Sequence, residues 1–437
     1  MAIQVDQQKL VLNAFAAVFQ NNLVAADAVS WRQYDGELSD RNGLTVSEQV
    51  GPRYVVTQTT AAVQDLTTGT QDSIFGSEQF KVDQIFGSSM GWDDFVKIRD
   101  VGDARQSVAI KNAATRLAEK IDAYILQIAT LASNNWLSGA TPGLNVSDLG
   151  DVASAYTRLK EEGVDDSDLR CILTYADRQA LSETIVAYPA PDSLSTSAFR
   201  KGFEGEVNGI PTMFTQQLPT LTVGTRTASG VSTNNGANQN VNYKAVSTSS
   251  APGFYMTQNL NIKISAAGTE TVVAGEVFTI AGVNAYDNRL GADLGRLQQF
   301  TVVTGATAVA GAATIRIFPA IIVPGTGLGG DINVNTAHAT VTAIPAAAAA
   351  ITWIGVASTA YKPRVMLQKE AILCMTAPLI KPATGISGSV QLTKVPLSVR
   401  MWTNSDFNTG KHNVRFDVAL NANIRDRRRI VRLNGTP

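Results

Sequence analysis

Between Ala104 and Ser133 the chain carries no glycine or proline. Ile110, Ala114, Leu117, Ile121, Ile125, Ile128 and Ala132 recur there at three- and four-residue steps, while Lys111, Asn112, Thr115, Glu119 and Asp122 fall off that stripe. The pattern predicts one amphipathic helix, spanning roughly 44 Å at 1.5 Å per residue. Asp103 is placed to cap its first turn, with Gln106 three residues on to reach back. Just upstream, Arg53 to Val63 is rich in Val, Thr and Tyr, and Phe80, Val82 and Gln84 alternate with Lys81, Asp83 and Ile85. Two strand-like runs around the polar tip Thr67 to Gly76 predict an extended hairpin. A ribbon this polar needs a partner surface. A long rod beside it suits a subunit that spans and clasps rather than one that encloses a pocket.

Elsewhere the periodicity switches between helix and strand. Residues 6 to 29 read as a first helix with Val11, Phe15, Val18, Phe19 and Leu23 near one face, followed by an irregular stretch from Ser30 to Pro52. Ser147 to Glu162 reads as a helix, with Leu149, Val152, Tyr156 and Leu159 on one side and Gly163 to end it. A strand from Leu169 to Leu173 and a helix from about Ala176 to Val186 follow, then a loop around Pro189, Pro191 and Ser193 to Ser197, and turn residues from Gly202 to Pro219. From about Thr220 to residue 350 there is no helical period. Strand candidates appear at Leu260 to Ile264, Val277 to Ile280, Phe300 to Val303 and Thr314 to Phe318. This reads as a β domain, residues 222 to 345, inserted into a loop of an α/β domain. Strands resume at Val365 to Pro378, Ser389 to Trp402 and His412 to Ala422, with a turn at Asn404 to Gly410, and the cluster Arg425, Arg427, Arg428, Arg429 and Arg432 closes the chain.

Composition narrows the function. A chain of 437 residues with formal charge −1 has room for more than one core and no field to recruit nucleic acid or an anionic membrane. Cys171 and Cys374 lie far apart with no CxxC, which argues against a disulfide framework and fits two small buried hydrophobes. The N-terminus lacks the pattern of a secretory signal, since Asn13, Gln20, Asn21 and Asn22 interrupt any apolar run. The charge-free stretch Ile332 to Tyr361 carries Asn333, Asn335, His338 and Pro345, too polar for a membrane span.

Few motifs suggest chemistry. Gly87-Ser88-Ser89-Met90-Gly91 fits the G-x-S-x-G turn of a serine hydrolase, for which only His338 or His412 is on hand as base; a plain turn is the simpler reading. Gly325 to Gly330 fits G-x-G-x-x-G, but Asp331 to Thr342 reads as strand or loop, with no Asp or Glu between Ile332 and Lys369 to hold a ribose. A flexible loop is expected there, and a linker or short helix at 346 to 350. The arginine cluster suits either phosphates or a charged, subunit-facing edge, with Asp417 and Asp426 as possible partners. No His, Cys, Asp and Glu grouping has metal-ligand spacing. Catalytic, cofactor and metal sites are thus expected to be absent; a serine hydrolase using Ser89 and a β-rich phage tail or attachment protein are the alternatives.

Five segments give the chain a resemblance: Ala113-Ala114-Thr115-Arg116-Leu117-Ala118; Gly202-Phe203-Glu204-Gly205 through Leu218-Pro219; Gly275 to Val283; Glu370 to Leu379; and Val399 to Asp406. Together, and in this order, the chain resembles the major capsid proteins of tailed bacteriophages with the Hong Kong 97 fold. More narrowly, it is similar to the P-22-type coat proteins of short-tailed phages. The resemblance implies an α+β class, a Hong Kong 97-like capsid fold with an inserted all-β barrel-like domain. Its parts are an N-terminal arm (1–52), an extended hairpin loop (53–90), a peripheral domain with the spine helix (91–146), an axial domain in two parts (147–221 and 346–424), the inserted domain (222–345) and a basic tail (425–437). It implies a coat protein that self-assembles as hexamers and pentamers into the icosahedral shell of a double-stranded DNA phage. Scaffolding protein, a portal ring and weakly held packaged DNA are the implied partners, with no membrane. Assembly in the host cytoplasm would precede residence in the virion capsid. Asp72, Glu78, Lys81 and Asp83 are the residues expected to set register between subunits.

Overall fold

The computed structural model describes residues 2–33, 45–56, 71–92, 108–137, 146, 149–187, 206–207, 209–226, 233–264, 268–325, 332–380, 382, 386–405 and 412–433. The helix cap Asp103, the hairpin tip at 67–70, the loop around Pro189 and Ser193 to Ser197, the segment Gly202 to Gly205 and most of the Asn404 to Gly410 turn lie outside them. Helices and strands alternate along the described residues, in two compact units.

The first unit gathers residues 1–46, 80–128 and 369–425. Its sheet runs in the order Ser30–Gln33, Ile372–Thr376, His412–Ile424, Ser398–Ser405, Ile386–Gln391, with Ile85–Trp92 also paired to His412–Ile424. The first pair is parallel and the others antiparallel. The stretch expected as one strand from Ser389 to Trp402 is a pair of antiparallel strands, because Pro396 cannot donate to a ladder. The first helix is Ala2–Asn22, followed by a 3-10 turn Ala25–Ala28. Its apolar face buries Leu12, Phe15 and Phe19, and Phe15 stacks on Phe416 at 3.9 Å between ring centroids. Burial of such rings stabilises this face, each covering a large apolar area.

The long helix is Val108–Ala132, and the division between the units passes near its C-terminal end. Ile110, Ala114, Leu117, Ile121 and Ile125 are buried as their spacing predicts. Asp122, expected off that stripe, is buried too.

The second unit comprises residues 47–79, 129–368 and 426–437. One mixed sheet has the order Asn135–Leu137, Ile430–Leu433, Arg364–Gln368, Leu169–Leu173, Ile210–Phe214, Glu206–Val207. Helix Leu149–Glu161 lays Val152, Ala155 and Leu159 into a core with Leu169, Cys171, Met366 and Val431, and Gly163, at φ +79°, ends it in the left-handed conformation its sequence suggested. Helix Tyr175–Ala187 starts with a capping box: Thr174 Oγ1 accepts the N–H of Asp177 at 3.3 Å, and Asp177 Oδ2 accepts that of Thr174 at 2.9 Å. The expected strand Val365 to Pro378 divides here. Arg364–Gln368 belongs to this sheet and Ile372–Thr376 to the other unit, separated by the 3-10 turn Lys369–Ala371 where Lys369 and Glu370 break the apolar run.

The second sheet of this unit has the order Thr233–Asn234, Gln258–Lys263, Ala312–Phe318, Ala292–Thr304, Val277–Asp287, Ile351–Ile354. Leu260, Ile262, Phe278, Ile280, Phe300, Val302, Ile315 and Ile317 fill one core with their alternate positions. A bridge between Thr233 and Ala350, just before the last strand, brings the two edge strands together. Residues 346–350, expected as linker or short helix, instead turn through Ala348 at φ +58° and bond to Asn234. The incoming strand Leu221–Thr222 pairs antiparallel with the outgoing Ala360–Tyr361, so the chain enters and leaves this sheet at one place.

Candidate assembly surfaces

A ribbon of two strands, Thr45–Val50 with Gly76–Lys81, occupies the place of the expected hairpin. Its first strand lies upstream of the expected run 53–63, in a stretch read as irregular, and Arg53 to Val56 forms no strand. Pro52 explains the shift, since it lacks the N–H a ladder requires. Thr45–Val50 alternates exposed with half-buried positions, as a ribbon with one free face does. Gln71 closes the chain on itself, its side chain donating to Val55 O at 2.7 Å and accepting from Val55 N at 2.8 Å.

The four residues expected to set register separate into two kinds. Asp72, Lys81 and Asp83 are exposed, Lys81 and Asp83 as a loose pair 3.7 Å apart. Glu78 is buried, accepting backbone N–H groups from Gly253 at 2.5 Å and Tyr255 at 2.8 Å. Burial pushes its carboxyl up to about 6 against those two hydrogen bonds. Its carboxylate therefore fixes the ribbon's own chain.

The stretch that follows the first helix is held by a residue whose role the sequence pattern did not announce. Asp122, in the middle of the long helix, accepts the N–H of Val24 at 2.7 Å and of Ala26 at 3.2 Å, capping the 3-10 turn that follows the first helix. Burial raises its pKa to about 6, with those N–H groups opposing the shift. A carboxylate in mid-helix with Ala118, Ile125 and Leu126 three or four residues away was the available signal.

The arginine cluster does not form a tail. Arg427–Arg429 makes a 3-10 turn leading into the strand Ile430–Leu433, whose residues are all buried. Arg432 is fully buried, donating to Ser133 O at 2.7 Å and Gly275 O at 2.6 Å and lying 5.2 Å from the Trp136 ring centre. Arg427 is buried too and donates to Gly253 O at 3.0 Å and Ala132 O at 3.3 Å. Burial lowers the pKa of both guanidiniums. Arg428 and Arg429 share Asp426, as expected; Asp417 instead serves Arg400 and Arg415. Sequence order hides this because a run of arginines looks the same whether its carbonyl partners are distant or absent.

Where the chain enters the sheet of residues 233–354, Glu276 is fully buried and ion-paired to Arg226. Its Oε1 also accepts N–H groups from Gly224 and Val273, both at 2.8 Å, and Arg226 lies over the Trp353 ring at 4.2 Å. These residues were likewise missed, although an acid between Gly275 and an apolar run marks a buried charge.

The hydrolase reading loses its geometry. Gly87 to Gly91 lies inside the straight strand Ile85–Trp92, paired residue by residue with His412–Ala419, and not on a strand-to-helix turn. His338, in the other unit from Ser89, is buried and stacked on Tyr243 at 3.5 Å. Burial is the main cause that drives its pKa down to about 3. For the glycine motif, a helix does follow, contrary to expectation, but Ile332–Ala337 has six residues and residues 326–331 lie outside those described. Among the described residues no group of His, Cys, Asp and Glu could hold a metal ion, and no helix is long and apolar enough to cross a membrane.

A family model described as "P22 coat protein - gene protein 5" matches residues 1–429. No curated protein sequence matches the chain. Among solved structures, the chain is similar to one titled "Mycobacterium phage Che8", at 10% identity over 94% of this chain and 90% of that one, TM-score 0.42. It is similar to the mature capsid of bacteriophage PhiM1 at 10% identity over 94% and 86%, TM-score 0.41. The CUS-3 coat protein I-domain matches at 25% identity over 29% of this chain and 98% of its own, TM-score 0.21.

Proposed function

The chain belongs to the P22 coat protein family, and from that premise we propose how its parts share the work of a shell. It is a major capsid protein: copies of it self-assemble to form the capsid of a bacteriophage, and its family is structural rather than enzymatic. The match running from residue 1 to 429 carries this reading.

In the proposed arrangement the fold is Hong Kong 97-like and the shell an icosahedron of hexamers and pentamers. The ribbon of residues 45–81 lies over a neighbouring copy, with Asp72, Lys81 and Asp83 setting register by exposed charge. Their exposure supports this, and many weak contacts repeated over a shell add up to a firm one. The long helix is the spine of a peripheral domain, and the sheet holding Leu169–Leu173 is the axial domain. The inserted all-β barrel-like domain, expected over residues 222–345, runs in this reading on to residue 361. The pairing of Thr222 with Ala360 and the Thr233–Ala350 bridge support that reading. Scaffolding protein, a portal ring and packaged double-stranded DNA are the partners, met in the host cytoplasm before the protein resides in the virion. Contact with DNA is weak, because Arg427 and Arg432 are turned inward.

Expression with and without a co-expressed scaffold, followed by electron microscopy, tests this. Closed shells of uniform size are expected with the scaffold. A small fixed oligomer under both conditions contradicts it.

A further inference from the structure

The ribbon is not free on both sides. Along its strand Gly76–Lys81, the N–H of Ser77 donates to Ser247 O at 2.7 Å and Ser77 O accepts the N–H of Ser249 at 3.1 Å, so that Thr248 pairs parallel with Ser77. The short stretch Ser247 to Ser249 thus lies beside the ribbon as a third chain, and Thr45–Val50 is outermost. Glu78, 3% exposed, completes the join: one carboxylate oxygen takes the N–H of Gly253 and the other that of Tyr255. A charged acceptor bridging two donors holds its strand firmly, here to two points of one loop.

That loop has a firm base of its own. It leaves the short helix Tyr243–Val246, and Met256 closes it by donating to Val246 O at 3.1 Å while the Met256 carbonyl accepts the N–H of Ala320 at 2.8 Å. Arg427 donates to Gly253 O at 3.0 Å. Tyr243 and Tyr255 meet through their hydroxyls at 3.0 Å, and Ile74 packs against the apolar cluster they share. Gly76 lies against both tyrosines: a Cβ there would stand 2.6 Å from the Tyr255 ring and 3.0 Å from the Tyr243 hydroxyl. Only a residue without a side chain lets the strand come this close.

We propose that the segment Ser247 to Tyr255 is a seat that aims the ribbon for assembly, and that Glu78 is its positioning residue. A two-stranded ribbon is marginally stable alone, and ordering a loose one during association costs entropy that a seated one has already given up. Seating the inner strand on the chain's own loop leaves the outer strand, Thr45–Val50, in a defined pose for a neighbouring copy. The seat therefore acts on the rate of assembly and not on the cores of the subunit. Its consequence for assembly rests on the capsid reading above, while the seat itself is a property of the single chain.

Two measurements on the full-length chain test it: amide exchange in the free subunit, and light scattering of assembly with the scaffold at equal distance below each variant's melting midpoint. In Glu78→Ala we expect the Ser77 and Ser249 amides to exchange at least about tenfold faster, and shells to form at least about tenfold more slowly. Gly76→Ala, which leaves the carboxylate in place and presses a methyl on Tyr255, should do both as well, and it decides the matter if Glu78→Ala fails to fold. Glu276→Gln controls for general loosening: it alters another buried acid of the same unit, whose partners are Gly224, Arg226 and Val273, and should leave exchange at Ser77 and the matched assembly rate at parental values. Parental assembly rates in Glu78→Ala and Gly76→Ala, unaltered exchange at Ser77 and Ser249, or equal slowing by Glu276→Gln overturns the proposal. A parent that makes no shells removes the capsid reading and the assembly role with it, and exchange at Ser77 still decides the seat.

Discussion

Asp122 and Val24, separated by 98 residues, are joined at 2.7 Å by a hydrogen bond from the Val24 N–H to the Asp122 carboxylate. The bond couples the turn after the first helix to the long helix, and its strength follows the charge of a buried acid. The folded-state pKa, about 6, lies above the ordinary 3.8. For a raised carboxyl, the folded state holds the proton more tightly, so this group's contribution is fully present below about 4 and is lost as pH rises through 6. Stability of the first unit should therefore gain on the order of 3 kcal/mol from this group between pH 7 and pH 4, other titrations apart. Urea midpoints of the parent and Asp122→Asn across that range check it. The difference between them should change with an apparent pKa near 6, and a constant difference would sink the assignment.

Glu276 is a buried acid with a different duty. Its Oε1 takes two backbone N–H groups while the carboxylate faces Arg226, so Glu276→Ala strands a buried cation and two donors. The expected loss is about 3 to 5 kcal/mol. Glu276→Gln keeps an oxygen for both N–H groups and should recover part of that. Thermal melts and limited proteolysis around Glu276 measure both; full recovery in Glu276→Gln would deny the ion pair a role, and equal loss in the two variants would deny the two N–H bonds one.

Arg432 is expected to matter for folding and not for nucleic acid. Arg432→Gln withdraws donors from the carbonyls of Ser133 and Gly275, at a cost of about 2 to 4 kcal/mol. Binding to duplex DNA, read as affinity against salt, should keep the same slope as the parent. A slope reduced by about one unit would mean that Arg432 meets a phosphate.

Removing residues 57–70 should leave a folded subunit that assembles poorly. The deletion must spare Gln71, which bonds to Val55, and Ile74, which packs against the cluster around Tyr243. Unchanged shells by electron microscopy would refute the loop's role.

The elements most legible in the sequence were those whose apolar spacing is local. The stripe of the long helix, the Gly163 stop, the strand Leu169–Leu173 and four strands of the sheet that includes Val277–Asp287 fall where they were expected. Partners were not legible. Val46 to Val50 alternates too weakly to announce a strand, so the ribbon's first half was assigned to the more β-prone run 53–63, beyond Pro52. Likewise Arg432 in the sequence is one more cation in a basic run. Only the fold reveals that carbonyls of Ser133 and Gly275 await it. The four charged residues look alike in the sequence, yet Asp72, Lys81 and Asp83 are exposed while Glu78 is buried, accepting N–H groups of Gly253 and Tyr255 that lie far along the chain.

In the proposed shell the strand Thr45–Val50 finds its stabilising surface on another copy of the chain, while Glu78 ties the paired strand to Gly253 and Tyr255 of its own copy. Amide hydrogen exchange over residues 45–81, compared between free subunit and assembled shell, tests it most directly. Thr45–Val50 should exchange rapidly in the free subunit and gain at least about a hundredfold protection on assembly, a change of roughly 3 kcal/mol. Protection already complete in the free subunit, and unaltered in the shell, would contradict it.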